Sequence, residues 1–162
     1  MVKTGMKQSR ILLTGFEATK RDVSASKVML EKIDAYEKFL FSNDYDLIKE
    51  EIDAIIENHY DYIIMFGWKP AIKRVTIEVE ATYKKASLFT NYPLNEILAD
   101  FKAKGISYNF SQNAGTSYCN YAYYHLLKKI YDNNLTTKVL FIHIPNLEKF
   151  NDIKKVINTF NK

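Results

Sequence analysis

The stretch NAGTSYCNYAYYHLLKKIYDNNLTTKVLFIHIP (113–145) decides the fold. A turn that contains glycine opens it, and a helical pattern of about fifteen residues follows and ends in lysines and asparagines. KVLFIHIP (138–145) is then an apolar strand that Pro145 ends. A helix that leads into a wholly apolar strand is typical of an α/β protein, because parallel strands need crossover helices and are buried on both faces.

The same alternation of helices and strands continues along the chain. Further strands are predicted at 11–16, 61–67 and 106–111, and further helices at about 24–39, 45–58, 95–104 and 152–160. VTIEVEATY (75–83) alternates apolar and polar residues, which predicts one half-exposed strand with Glu78 and Glu80 on the same face. The sequence therefore predicts a single domain over residues 1–162, with three layers (α/β/α) around a mostly parallel, twisted sheet.

Length and composition limit the class of protein. A chain of 162 residues can bury a continuous core without disulfides or metals. Hydrophobic residues make up 47% and charged residues 26%, a balance that is typical of globular rather than disordered proteins. The net charge of +4 comes from scattered lysines, so we expect no nucleic-acid partner.

The start of the chain and its cysteine content bear on location. The basic start, 1–10, is followed by only a short apolar run at 11–13, which is too short for a secretory signal. No stretch approaches the roughly 20 apolar residues that span a bilayer. The single cysteine, Cys119, excludes an intrachain disulfide and a multi-cysteine zinc site. We therefore expect a cytoplasmic protein without a membrane partner.

Three residues with complementary chemistry fall near strand ends and helix starts, where α/β proteins place their sites. Cys119 is predicted in the first turn of its helix, where free N–H groups and the helix dipole would stabilise a thiolate or an oxyanion. His143 is predicted near the end of strand 138–145, within reach of that thiol. Each residue also has a structural alternative: a buried small thiol, a satisfied core histidine, and for Glu78 the wet face of its strand.

Several motifs match one known family in order and spacing. NAGTSYCN (113–120) resembles S-A-G-x-Y-x-C-N, the family's nucleophile segment, and FIHIP (141–145) resembles F-I-H-V-P, which carries its catalytic histidine. Gly67 and Glu78 are eleven residues apart, the family's spacing between a glycine after a strand and the glutamate of E-R-x-A. GFE (15–17) matches the start of G-F-E-P-F-G-G. The sequence thus resembles the pyroglutamyl peptidase I (pyrrolidone carboxyl peptidase) family of cysteine peptidases.

The resemblance implies a phosphorylase/hydrolase-like fold and a catalytic triad. Cys119 would attack an amide carbonyl, His143 would carry the proton from the thiol to the leaving amine, and Glu78 would orient the imidazole. The implied activity removes N-terminal pyroglutamate, or a related acyl group, from a peptide or small acyl-amide through an acyl-enzyme, with neither metal nor organic cofactor. The implied substrate contacts are Phe16, Gly115 and Asn120.

The departures from the family's motifs lie in the regions that shape the substrate cleft. Residues 18–21 replace P-F-G-G, so only Phe16 matches the two phenylalanines that usually enclose the pyroglutamyl ring. Val79 and Tyr83 replace the Arg and Asn of E-R-x-A-x-N. The chain is also shorter than usual for the family. We therefore expect a shortened, divergent member with altered acyl-group specificity.

Two alternatives come from other functional classes. A catalytically silent binding or interaction domain on the same scaffold would explain the lost pocket residues. An unrelated small-molecule binder would instead line its pocket with aromatic side chains at Trp68, Tyr83, Phe89 and Tyr92. Analogy with the family and the many aromatic residues also predict a homo-oligomer.

Overall fold

A computed structural model describes residues 9–21, 23–149 and 153–160. The strands are β1 (Ile11–Phe16), β2 (Glu37–Phe41), β3 (Tyr62–Trp68), β4 (Val75–Glu78), β5 (Glu80–Tyr83), β6 (Ala86–Phe89), β7 (Tyr108–Ser111) and β8 (Lys138–Ile144). The α-helices are α1 (Ala25–Glu31), α2 (Tyr45–Glu57), α3 (Leu94–Lys104), α4 (Tyr118–Asp132) and α5 (Ile153–Phe160). A short 3₁₀ helix, Leu147–Lys149, follows β8.

Within the described residues, six strands form one sheet in the order β2-β1-β3-β8-β4-β7. Neighbouring strands in it are parallel, except that β4 runs antiparallel to β8. Strands β5 and β6 form a separate antiparallel hairpin. The prediction of a mostly parallel sheet is therefore confirmed.

Helices cover both faces of the six-stranded sheet. On one face, α1, α3 and α5 contribute Met29, Phe101 and Val156 to the core. On the other face, α2 and α4 contribute Ile52 and Leu126. The three-layer prediction is thus confirmed. In the part of the chain that the structure describes, none of the helices has both the length and the apolar character needed to cross a membrane.

The predicted helix over 24–39 is too long. The structure begins α1 directly after its N-cap, Ser24, and ends it at Glu31. Tyr36 has φ of 75°, a left-handed conformation that a right-handed helix cannot contain. The following residues, among them Phe39, form β2 and pair with β1. A short edge strand with adjacent apolar residues resembles a helical face in sequence, so the periodicity did not separate the two.

The predicted single strand over 75–83 is two strands in two sheets. The chain leaves the six-stranded sheet after Glu78, and the N–H of Val79 donates to the carbonyl of Ser111 at 2.9 Å. Glu80 then starts the hairpin. The two glutamates therefore do not share a face: Glu78 is completely buried, whereas Glu80 is partly exposed.

Asn120 fastens the hairpin to α4. Its amide oxygen accepts the backbone N–H of Thr82 at 3.0 Å, and its amide nitrogen donates to the carbonyl of Thr82 at 2.6 Å. Because both ends of this buried amide bond to β5, the side chain acts as a bridge between the helix and the hairpin.

We expect Asn120→Ala to lower the free energy of unfolding by about 2–4 kcal/mol, because it leaves the N–H and C=O of Thr82 without partners in a partly buried place. Urea denaturation measures this loss. Asn133→Ala is the matched control, since the Asn133 amide donates to the carbonyl of Lys129 at the exposed end of α4 and makes no side-chain bond to another strand or helix among the described residues. Equal losses in the two variants would contradict the bridging role.

Candidate active site

Cys119 is the second residue of α4, as the sequence predicts. The backbone N–H of Tyr121 donates to the carbonyl of Ser117 at 3.1 Å and so begins the helical ladder. The N–H groups of residues 118–120 precede this bond and have no acceptor within the helix. Donors are therefore available next to the thiol for an anionic oxygen.

The thiol packs against the end of β3 at Gly67. A Cβ atom placed on Gly67 would lie 2.6 Å from the Cys119 sulfur and 2.6 Å from Cζ of Phe141, so a larger residue would displace one of them. Gly67 pairs with His143 of β8, and paired residues of neighbouring strands project to the same face. The sulfur therefore occupies the place beside the imidazole on the face that α4 covers.

His143 and Glu78 form a buried pair. Nδ1 of His143 lies 2.6 Å from Oε2 of Glu78, and the two side chains are 4% and 0% exposed. On the antiparallel strands β4 and β8, Thr76 pairs with His143 and Glu78 pairs with Phe141, so Glu78 lies diagonally behind the imidazole. A carboxylate that accepts from Nδ1–H leaves Nε2 as the basic nitrogen. The alternative that Glu78 lies on the solvent-exposed face of its strand is therefore wrong.

Aromatic side chains enclose this pair. The Tyr123 hydroxyl donates to the backbone carbonyl of Glu78 at 2.7 Å, and the Tyr123 ring packs on Phe141. The Phe141 ring packs in turn on the His143 ring, with centroids 4.8 Å apart. Oε1 of Glu78 is buried and has no hydrogen-bond partner among the described residues. Within that part of the chain, His143 is thus the polar group to which the carboxylate is directed.

The surroundings raise the pKa of the Cys119 thiol to about 12. Desolvation of the sulfur is the largest cause and the negative charge of Glu78 is the next, while the Cys119 backbone N–H and the charge of Lys69 act in the opposite direction. The predicted thiolate stabilisation by the helix start is therefore outweighed by burial. Among the described residues, no hydrogen bond joins the thiol to His143. With this pKa the thiol is protonated at neutral pH.

A cleft of about 130 Å³ opens beside the thiol. Its lining residues are Phe16, Glu17, Ser24, Ser26, Asn43, Trp68, Ser117, Tyr118 and Cys119. Of the predicted substrate contacts, Phe16 is the one that lines it. The Ser24 hydroxyl donates to the carbonyl of Phe16 at 2.6 Å, and the N–H of Phe16 donates to the Ser26 hydroxyl at 3.1 Å. These two hydrogen bonds fix the backbone at the carboxyl end of β1, beside the cleft.

The other predicted substrate contacts do not line this cleft. Gly115 lies in the loop before α4 with φ of 91°, and an added Cβ would meet nothing within 4 Å. Its backbone conformation, and not a close contact, therefore favours glycine. Asn120 is bonded to β5 instead. In the described ranges, no three His, Cys, Asp or Glu side chains come together as a metal site.

The sequence prediction missed some of the cleft residues and grouped aromatic residues that lie apart. Trp68, which the sequence assigned to an aromatic pocket, does line the cleft and donates from Nε1 to Oδ1 of Asn146 at 2.7 Å. The aromatic residues proposed for a common pocket have separate surroundings. Tyr92 packs on Tyr62, Tyr83 packs against α4, and Phe89 is exposed on β6.

Comparison with known proteins finds similarity to one family. A sequence model of the family described as pyroglutamyl peptidase matches residues 82–158, which include Cys119 and His143. The segment that carries Cys119 and His143 is thus similar to pyroglutamyl peptidases. A pyrrolidone-carboxylate peptidase of Caldanaerobacter subterraneus subsp. tengcongensis is 41% identical over 59 residues. That match covers 36% of this chain and 29% of the relative's length.

Two longer matches extend the likeness to this family over most of the chain. A pyrrolidone-carboxylate peptidase of Bacillus cereus (strain Q1) is 26% identical over 168 aligned positions, which cover 85% of this chain and 78% of the relative. The crystal structure of pyroglutamyl peptidase I from Bacillus amyloliquefaciens superposes with a TM-score of 0.80 at 20% identity. The superposition covers 95% of this chain and 94% of that chain. The α/β fold is thus shared despite low identity.

We expect Gly67→Ala to lower the free energy of unfolding by about 1–3 kcal/mol, because its methyl group must displace the sulfur or the Phe141 ring. Urea denaturation of Gly67→Ala, Cys119→Ala and the double variant measures the coupling. The loss of stability in the double variant should be smaller than the sum of the two single losses, since removal of the sulfur leaves space for the added methyl group. Strict additivity would contradict the contact between Gly67 and the thiol.

We expect the alkylation rate of Cys119 by iodoacetamide to rise with pH up to pH 10 without a plateau near 8.5. The thiolate reacts, and its fraction increases about tenfold per pH unit below a raised pKa. Because the chain has one cysteine, the rate reports on that thiol alone. The urea-unfolded chain is the control and should plateau near the ordinary thiol value. A plateau at or below pH 8.5 in the folded protein would contradict the raised pKa.

Proposed function

We propose that this protein is a cysteine peptidase that hydrolyses the amide bond after an N-terminal pyroglutamyl residue. The observation that carries the proposal is the buried pair of His143 and Glu78. His143 pairs with Gly67 on the neighbouring strand, and the Cys119 sulfur packs against Gly67 on the same face of the sheet. The names of the relatives, pyrrolidone-carboxylate peptidase and pyroglutamyl peptidase I, give the chemical class of the substrate.

In the proposed reaction, Cys119 is the nucleophile. Nε2 of His143 takes the thiol proton while the sulfur attacks the carbonyl carbon, so that a C–S bond forms and the carbonyl π electrons move to oxygen. Free N–H groups at the start of α4 bind this oxyanion. When the carbonyl re-forms, the C–N bond breaks and His143 gives the proton to the leaving amine. His143 then deprotonates a water molecule, whose oxygen bonds to the acyl carbon. The C–S bond breaks, and the sulfur takes the proton back from His143 as the free acid leaves.

Glu78 has an orienting role in this proposal. Its carboxylate holds the imidazole by Nδ1 and stabilises the positive charge that forms when Nε2 takes a proton. Because the thiol has a raised pKa, proton transfer accompanies attack on the substrate and does not precede it.

The size of the cleft supports a small acyl group. Its volume of about 130 Å³ is well below the several hundred Å³ of a typical pocket for a drug-sized ligand. The five-membered lactam of pyroglutamate is a group of suitable size, with Phe16 as an apolar wall and Asn43 and Ser117 as polar neighbours. The acyl group of the substrate would lie inside the cleft, and the rest of the peptide would lie outside the cleft.

The proposal extends to location and assembly. A nucleophilic thiol without a disulfide partner is preserved in a reducing compartment, which favours the cytoplasm. Phe89 and Tyr131 are 56% and 41% exposed, and the Tyr131 hydroxyl donates to the carbonyl of Phe89. This pair offers an apolar surface on which a second copy of the chain would pack.

Hydrolysis of pyroglutamyl-aminomethylcoumarin tests the proposed activity. We expect Cys119→Ala to abolish it, and Glu78→Gln to lower kcat about 100-fold or more, because the imidazole loses its carboxylate. Glu80→Gln is the matched control, since Glu80 lies in the hairpin two residues further on, and should behave like the wild type.

Each result has a clear meaning. A Cys119→Ala variant as active as the wild type would overturn the nucleophile assignment. A wild-type protein that hydrolyses neither the pyroglutamyl substrate nor other acyl-aminomethylcoumarins would favour the catalytically silent binding domain.

A further inference from the structure

The proposed reaction, on which this inference rests, moves negative charge through a site that already holds a carboxylate. Glu78 lies behind His143, and the cleft residue Glu17 adds a second acidic group, half-exposed and 3.6 Å from Lys27. The lining residues of the cleft include neither lysine nor arginine. Attack by sulfur would add an anionic oxygen to these surroundings. A positive charge nearby would therefore change the rate.

The backbone places Lys69 on the face that carries the thiol. The N–H of Lys69 donates to the carbonyl of Ile144 at 3.0 Å, which continues the ladder between β3 and β8 one residue beyond Trp68. Side chains alternate along a strand, so Lys69 projects to the same side as Gly67, where the sulfur packs. It stands at the carboxyl end of β3, next to the strand end that carries His143.

The electrostatics agree with this placement. Lys69 is the cation whose charge lowers the pKa of the Cys119 thiol, against the effect of Glu78. In the part of the chain that the structure describes, no carboxylate lies within salt-bridge distance of its ammonium group. Its side chain is half-buried, so water screens the charge less than it would at the open surface.

We propose that the Lys69 ammonium group stabilises the negative charge that develops on the Cys119 sulfur and on the carbonyl oxygen of the substrate as the two react. The charge moves along the bond that forms: the sulfur loses its proton to His143 and bonds to carbon, and the π electrons of the carbonyl go to oxygen. Lys69 keeps its own proton throughout and acts through its field. It is thus a residue that tunes the nucleophile and not a base.

The test compares Lys69→Met and Lys69→Arg with the control Lys73→Met. Met keeps most of the side-chain length and removes the charge, and Arg keeps the charge. Lys73 lies four residues further along, exposed in the loop that leads to β4. Two readouts are used: the alkylation rate of Cys119 by iodoacetamide between pH 7 and 10, and kcat and KM for pyroglutamyl-aminomethylcoumarin.

We expect Lys69→Met to slow alkylation about 3- to 10-fold at each pH, because the thiolate becomes less stable, and to lower kcat about tenfold with little change in KM. Lys69→Arg should restore most of both rates, and Lys73→Met should match the wild type. High salt should reduce the difference between Lys69→Met and the wild type.

Several outcomes would overturn the proposal. One is a Lys69→Met variant with wild-type alkylation and kcat, and another is a loss that Lys69→Arg does not restore, which would show a role in packing. If the wild type does not hydrolyse the substrate, the proposed function fails, yet alkylation still decides whether Lys69 acts on the thiol. The two proposals can therefore fail separately.

Discussion

Glu78 reaches the imidazole of His143 because β4 runs against β8. Strand β4 starts beside the carboxyl end of β8 and runs back along it, because the two strands are antiparallel. Its last residue, Glu78, therefore pairs with Phe141, two residues before His143. A parallel strand would carry its last residue outward, toward solvent. The direction of one strand therefore decides that the carboxylate is buried behind the ring and meets Nδ1, not Nε2.

Burial of this carboxylate is unfavourable unless its surroundings compensate. Its described polar partner is His143, and its second oxygen has none. The neighbouring contacts fix its position: the Tyr123 hydroxyl donates to the backbone carbonyl of Glu78, and Phe141 packs between Tyr123 and the imidazole. A buried pair of this kind contributes little net stability, so its value lies in the fixed orientation of the ring. The hairpin that begins at Glu80 is in turn held by Asn120.

The sequence predicts those parts of the site that local patterns determine. A turn followed by an amphipathic run locates Cys119 at a helix start, and an apolar run ended by proline locates His143 at a strand end. The break at Val79 has no local signal, because it depends on a bond to Ser111 in another strand. The same holds for Asn120, whose partner is 38 residues away. The raised pKa of the thiol also depends on packing that only the fold reveals.

The charge balance of the buried site explains why a thiol with a raised pKa suits this arrangement. With Glu78 ionised, the thiol and the neutral imidazole carry a net charge of −1 together with it. In the proposed reaction, transfer of the proton from Cys119 to His143 would leave that net charge unchanged and only separate charges within the cluster. The barrier to this transfer therefore depends on how well each charge is stabilised. The carboxylate of Glu78, 2.6 Å away, stabilises the imidazolium, and the Cys119 N–H and the charge of Lys69 stabilise the thiolate. A substrate that takes the negative charge onto its carbonyl oxygen relieves the sulfur at the moment of attack, so the thiolate need not accumulate.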